Sequence, residues 1–496
     1  VYAERAARHL RSWWQANPFL TGVHWVSAIE VGLRLLSWTW IRALLGDWPR
    51  VRALFDENPV FTAQIYQHQL YAYRFHSRGS SANNHLIAEL AGLSAAATAF
   101  PWFAESTGWA EWSRARLVEE AAAQTHEDGL NREQASEYHL FVMEMLLAAA
   151  LPARMAGAPF PATLDLWLAR MADALAASLD ATGRPPRFGD ADEGRGVLLD
   201  APEADHAAIV LDTCRALVGA APWWPAGCGS VLGQVAMQLT QPPPPPRDVP
   251  RPDHFAGAGM TILRAGAGAA EIWVRCDAGP HGFLSIAAHG HADALSIELR
   301  CGGNDILVDP GTYCYHGEPV WRGYFKGTAA HNTLMLDGLD QATNGGPFLW
   351  LTRPASALDE PVATPAHSWQ ARHDGYRRLA DPVTHHRRVV LDPATRNVSI
   401  SDWIEAAAPH DATLSWHLGP EIAVTLDGLV ARLEWPGGAG RLDLPAQLVW
   451  TIHRGEQRPP LGWYSDRFGH KTPSNTLTGH GRLTAGTTLL TRFSCV

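Results

Sequence analysis

The stretch Gln241-Pro242-Pro243-Pro244-Pro245-Pro246-Arg247-Asp248-Val249-Pro250-Arg251-Pro252 divides the chain. Proline lacks an amide donor and has a fixed φ, so this run cannot be helix interior and favours extended polyproline conformation. Residues 241–252 therefore read as a linker, and the sequence has a different period on either side of it. Upstream, residues 1–240 are rich in Ala, Leu, Trp and Arg, with apolar positions at helical spacing between short Gly/Pro breaks. Tyr138, Phe141, Val142, Met145 and Ala149, for example, fall on one helix face. Downstream, residues 253–496 carry short alternating runs, such as 270–275, 296–300, 388–391 and 398–403, separated by Gly, Asp, Asn and Pro. The expected fold class is α+β and multidomain: a helical domain, the linker, and an antiparallel β-sandwich rather than alternating βαβ units.

Composition agrees with two large cores. At 496 residues, 46% hydrophobic and 18% charged, the chain is globular and too long for one small module. Its 40 Lys+Arg against 50 Asp+Glu give a formal charge of −10, which argues against nucleic acid or anionic membrane as a general partner. Only Lys326 and Lys471 are lysines; the arginine bias could serve bidentate recognition of carboxylate or sulfate, but a GC-rich coding bias is the favoured reading. The six cysteines are scattered without a CxxC pair, so neither a disulfide framework nor a thiolate zinc site is expected. No run of 18 apolar residues occurs, so no membrane-spanning helix is expected. The chain starts at Val1 rather than Met, which leaves open a removed leader.

Chemistry-bearing residues cluster in a few places. His289-Gly290-His291-Ala292-Asp293 opens a strand-like run, and Asp309-Pro310-Gly311 and His331-Asn332-Thr333 follow. His291, Asp309 and His331 are of the types that accept Zn²⁺, at the ends of strand-like segments that could pair. With 23 histidines, a close HxH also arises by chance, and a polar sheet rim is the plain alternative. In the helical half, Asn83-Asn84-His85 and Ser136-Glu137-Tyr138-His139 sit at helix starts, where Asn84 or Ser136 could simply cap a backbone amide and Tyr138 be a half-buried aromatic. The 21 tryptophans supply core and, on exposed faces, stacking platforms for sugar rings.

The ordered set Ser81-Ala82-Asn83-Asn84-His85-Leu86-Ile87-Ala88-Glu89-Leu90-Ala91-Gly92, Glu137-Tyr138-His139, Phe188-Gly189-Asp190-Ala191-Asp192, His289-Gly290-His291-Ala292-Asp293-Ala294-Leu295-Ser296, Asp309-Pro310-Gly311-Thr312-Tyr313 and Ala330-His331-Asn332-Thr333 resembles the heparinase II/III-like polysaccharide lyases. The resemblance spans roughly residues 10–420 and implies an incomplete (α/α) toroid followed by an antiparallel β-sandwich. It implies β-elimination at the uronic acids of an acidic polysaccharide, glycosaminoglycan-like or a bacterial exopolysaccharide, leaving 4,5-unsaturated uronate ends. Asn84 and His85 then neutralise the substrate carboxylate, Tyr138 protonates the leaving O4 and, for some stereochemistry, also removes the C5 proton, and His289 can serve as base from the opposite face. His291, Asp309 and His331 match a zinc-ligand pattern, with the Zn²⁺ mainly structural because the elimination already has its base and acid. Tyr315, Trp321 and Arg322 are the expected substrate contacts. A periplasmic or secreted bacterial location is favoured over the cytoplasm. The acidic charge and scarce lysine point to lightly sulfated or unsulfated glycans. Two other classes stand beside this one: a non-catalytic glycan-binding relative, and a metal-dependent glycan hydrolase.

Overall fold

Helices fill the first half because the apolar positions recur every three to four residues and the breaks fall at capping residues. The computed structural model describes residues 1–495. Ten of its α-helices precede the sheets: α1 (Tyr2–Ala16), α2 (Ala28–Leu44), α3 (Val51–Leu54), α4 (Pro59–Arg74), α5 (Asn84–Ala99), α6 (Ser106–Ala123), α7 (Ser136–Met155), α8 (Ala162–Ser178), α9 (His206–Val218) and α10 (Val231–Leu239). None of the described helices is long and apolar enough to cross a membrane.

The chain packs as two units, and the division does not follow the sequence simply. A helical unit comprises Val1–Thr125, Leu140–Ala172 and Gly194–Val249. A sheet unit takes everything from Pro250 onward and recruits two segments of the helical half, His126–His139 and Asp173–Glu193. Tyr138 thus belongs to the sheet unit although α7 runs on from it into the helical one.

In the helical unit, α5 is buried almost along its whole length, as an element apolar on all sides must be. It meets α2 backbone to backbone: a Cβ on Gly92 would lie 2.2 Å from the Gly32 carbonyl oxygen, and one on Gly32 would lie 2.5 Å from that of Ala88. Only glycine permits this approach. A second core gathers Trp14, Trp25, Trp38, Phe55, Phe61 and Phe100, so these tryptophans are packing rather than sugar platforms. The proline stretch is tied down, not free. Arg247 donates its backbone N–H to Ala220 O (3.0 Å), and Trp223 Nε1 donates to Val249 O (2.7 Å).

The sheet unit is antiparallel throughout. One five-stranded sheet runs in chain order from His254–Phe255 through Met260–Ala265, Ile272–Asp277 and Ile297–Cys301 to Asn304–Leu307. An eight-stranded sheet includes Ser368–Tyr376, Val383–Leu391, Val398–Glu405 and the last strand, Leu489–Cys495. A four-stranded sheet carries Leu334–Leu336 beside His410–His417. Strand Val398–Glu405 alternates buried and half-buried positions, the signature of one face on a core, and that core holds Ile297, Leu299, Trp369, Val398, Ile400, Trp416 and Phe493. Cys301 and Cys495 pair as a disulfide, a link that the scattered cysteines did not predict.

Two local expectations change. His289 and His291 precede the strand Ile297–Cys301 in an irregular loop, with positive φ at Ala287 and Leu295, rather than lying on it. Asp309 follows a strand of the five-stranded sheet while His331 precedes one of the four-stranded sheet, so those segments do not pair with each other.

Candidate active site

Asp190 is the centre of the cluster in the sheet unit. Its segment is squeezed into place at Gly189, φ +65°, where a Cβ would stand 2.3 Å from Gln134 O and 2.8 Å from His289 O. The Asp190 amide donates to His289 O (2.9 Å), which docks the two loops together. Its carboxylate is fully buried and receives four groups. Arg322 grips both oxygens, Nη1 on Oδ1 and Nη2 on Oδ2, the latter at 2.8 Å. His289 Nδ1 lies 3.1 Å from Oδ2, His291 Nε2 lies 3.0 Å from Oδ1, and Thr312 Oγ1 donates to Oδ1 at 3.4 Å. Burial alone would raise this pKa; the Arg322 charge and the two imidazole hydrogen bonds overcome it and hold the carboxyl well below its ordinary range. An ionised Asp190 only accepts, so it fixes His289 as the Nδ1–H tautomer. The lone pair of Nε2 is then free to take a proton.

Tyr138, in the first turn of α7, stacks on His289 with ring centroids 3.8 Å apart and planes 22° from parallel. Its hydroxyl donates to Asp192 Oδ2 (3.1 Å) and meets the Tyr315 hydroxyl at 3.0 Å. Burial first, then the charges of Asp192 and Asp190, push the phenol well above its usual value. It therefore holds its proton at neutral pH and is suited to give one, not to start as phenolate. Glu133 Oε2 lies 3.7 Å from His289 Nε2, so the ring has a carboxyl group at each of its nitrogen edges.

Of the expected substrate contacts, Tyr315 joins the cluster and packs edge-on to Phe348 and Phe468, each at 4.9 Å. Arg322 does other work than expected. Its guanidinium is spent on Asp190 and, through Nε (3.0 Å) and Nη2 (2.7 Å), on Pro347 O, and it is buried. Trp321 packs against Trp463 at 5.2 Å and under Lys471 at 4.3 Å, within a separate aromatic group.

His291, Asp309 and His331 do converge, with one potential ligand atom from each lying within 4.8 Å of the others, all buried. His291 Nδ1 and His331 Nε2 are buried nitrogens without a hydrogen-bond partner, a costly state that a bound cation relieves. Burial lowers the His291 pKa, which keeps a neutral ring available to a metal. His291 Nε2 on Asp190 supplies the outer carboxylate that orients a metal-binding imidazole. Asp309 Oδ2 faces His331 Nδ1 at 3.1 Å, and its Oδ1 accepts from Gly311 N. The three residues can hold a metal ion.

Asn84 and His85 lie in the helical unit, in the first turn of α5. The cap is Asn83, not Asn84: its Oδ1 accepts from His85 N at 3.2 Å. Ser136 Oγ likewise turns to Phe188 rather than to an amide of its own helix. Glu89, one turn on from His85, accepts from Ser77 N (2.6 Å) and Ser77 Oγ (2.7 Å), which fastens the loop before Asn84 onto α5. Asp190 and Asp192 stood in the quoted motif without a role, and Glu133 and Phe348 were not singled out; the pattern Phe188-Gly189-Asp190 was the only signal for the first of these.

The Heparinase II/III N-terminus family matches residues 2–201, and the Heparinase II/III-like C-terminal family matches residues 247–491. Three similar solved structures share the fold across 100% of this chain. A heparinase III gene product has 19% identity and TM-score 0.68 over 74% of its length. A second heparinase III has 15% identity and TM-score 0.71 over 73% of its length. Heparan sulfate lyase HepC from Pedobacter heparinus has 16% identity and TM-score 0.64 over 72% of its length. No curated protein matches in sequence.

Proposed function

The chain belongs to the heparinase II/III-like family of polysaccharide lyases, and from that we propose that it cleaves a uronic-acid glycan by β-elimination, with His289 as base at C5 and Tyr138 as acid at O4. The observation that carries this reading is the stack of Tyr138 on His289, with one carboxylate behind each ring. His289 Nε2 takes the C5 proton, and the C5–H electron pair becomes the C4–C5 double bond. The C4–O4 bond breaks toward oxygen, and O4 leaves with the proton of Tyr138. Asp190 supports the imidazolium that forms, and passage of its proton to the phenolate restores both groups. Because acid and base stand side by side, they serve C5–H and C4–O from the same face of the sugar, which is the relationship in glucuronate and not in its C5 epimer, iduronate. Asn84 and His85 keep the role that the family resemblance gives them, pairing with the uronate carboxylate as charge builds beside it.

Zn²⁺ suits His291, Asp309 and His331, since two imidazoles and a carboxylate are its usual donors. Such an ion supplies a cross-link between the end of one sheet and the start of another. The full burial of all three donors speaks for a structural role and against a hydrolase that must bring a metal-bound water to a polymer.

Incubation with glucuronate-linked and iduronate-linked polymers, sulfated and not, while following the ultraviolet absorbance of the new double bond, tests the proposal. A signal from glucuronate linkages alone is expected. Products one water heavier by mass mean hydrolysis and remove the lyase mechanism; equal cleavage of iduronate removes the same-face assignment. Binding across the panel without any product leaves a glycan-binding protein.

A further inference from the structure

One cavity of the sheet unit has no task in the chemistry above. It has a volume of about 640 Å³, and its walls include His126, Arg132, His281, Phe283 and Arg353. Several arginines of this unit are matched to carboxylates: Arg184 to Asp305, Arg275 to Asp277, Arg300 to Asp180 and Arg387 to Asp402. Arg132 and Arg353 have no such partner among the described residues. Arg132 buries its Nε without a hydrogen bond, and Arg353 uses only Nη1, on Leu284 O at 2.7 Å. His281, 9% exposed, also buries an unpartnered Nε2.

Nearby carboxylates are already engaged. Asp128 Oδ2 accepts from Gly257 N (2.6 Å) and Ala258 N (3.2 Å), and Asp374 Oδ1 accepts from Ala355 N (2.7 Å). Asp277 is held by Arg275 and Gly279 N. Arg132 Nε, the unused nitrogens of Arg353 and His281 Nε2 thus present donors to one space, and for the buried Arg132 Nε and His281 Nε2 this is costly unless something else accepts. The cavity also adjoins the reacting cluster. Glu133 and Gln134 follow Arg132 directly, and the carbonyl of His281 abuts Gly290, where a Cβ would come within 1.8 Å of it, between His289 and His291.

We propose that this cavity is an oxyanion subsite, in which Arg132 and Arg353 clasp a carboxylate or sulfate ester of an acidic sugar and His281 donates from Nε2. That the oxyanion belongs to a sugar rests on the lyase reading; that an oxyanion binds does not. A subsite here engages a sugar other than the one being cleaved, because Tyr138 and His289 are not among its walls.

Calorimetric titration of the full chain with glucuronate, and separately with inorganic sulfate, tests this directly. At least one anion should bind, and Arg353→Ala and Arg132→Ala should each weaken it about ten- to a hundredfold, the range for a lost charge-assisted contact. Arg353 is exposed, so its variant folds, and an unchanged Tm without ligand verifies it. Preference for glucuronate identifies the carboxylate, and preference for sulfate identifies the ester. On polymer, Arg353→Ala should raise KM with kcat unchanged. Absence of binding by both anions, or equal binding by the Arg132→Ala/Arg353→Ala double variant, overturns the subsite. Arginine-dependent binding in a chain that makes no unsaturated product from any uronate polymer keeps the oxyanion site and removes the sugar.

Discussion

Asp190→Asn changes one atom and should disable more than one residue. An amide accepts on one edge and donates on the other, so it cannot serve His289, His291 and both nitrogens of Arg322 together. The buried Arg322 charge loses its partner, which costs about 3–5 kcal/mol when a buried pair is broken. We expect a lower Tm by calorimetry together with a kcat reduced about 10²–10⁴-fold, the usual weight of a general base that is no longer oriented. Tyr138→Phe separates chemistry from packing: the ring still stacks on His289 while the proton for O4 is gone. Its kcat should fall about 10²–10⁴-fold at nearly unchanged KM, with a modest drop in Tm from the lost hydrogen bonds to Asp192 and Tyr315, and wild-type turnover would return Tyr138 to a merely packed aromatic. The stack of Tyr138 on His289 and the convergence of His291, Asp309 and His331 join residues the sequence singled out, because each sits in a short motif. The duty of Asp190 was not legible, because its partners His289, His291 and Arg322 lie 99, 101 and 132 residues away in sequence, and nothing local to any of them announces the meeting.

Elements were legible where their period is local and illegible where partners are distant. Helix α7 and the strands near 272–277, 297–301, 383–391 and 398–405 fall within a few residues of their sequence reading, although α7 is buried on all sides over residues 139–153 and not on one face alone. Which sheet each strand joins did not, since His410–His417 pairs with Asn475–Leu483 only after a long excursion. The loop of His289 looked like a strand because its alternation is real, while the positive φ of Ala287 and Leu295 leaves no mark in composition. The α2–α5 contact supports a sharp expectation at this scale: Gly92→Ala forces a methyl onto the Gly32 carbonyl and should cost at least the 1–3 kcal/mol typical of overpacking, read as a lower denaturation midpoint of the helical unit. In the sheet unit, stripping metal with a chelator, or His291→Ala, should lower Tm if the ion is a structural cross-link, and elemental analysis of protein purified without added metal should find about one zinc per chain, the load of a single structural site. Full stability without metal would remove the site; rapid loss of activity with the fold intact would make the ion a participant in the reaction.

The molecule as a whole should be acid-sensitive for a reason other than its negative charge. Burial pulls His68, in the helical unit, and His417, in the sheet unit, down to about 3. The folded pKa of each lies below the unfolded value of about 6.5, so on acidification the unfolded chain binds protons first. The stability these two contribute is complete above about pH 6.5 and drains away as pH falls toward 3. Calorimetric scans at pH 7, 6 and 5 should show transitions of both units moving to lower temperature, and an unchanged transition in either unit would contradict its histidine. The loan of residues 126–139 and 173–193 to the sheet unit bears on recombination as well as on folding. A recombination at the proline run would look harmless from composition, yet it would part Tyr138 and Asp190 from the His289 they pack against. Chimaeras joined there between distant relatives should bring together a Tyr138 segment and a His289 loop that were not packed on each other, so the proline run is a boundary of composition and not of folding.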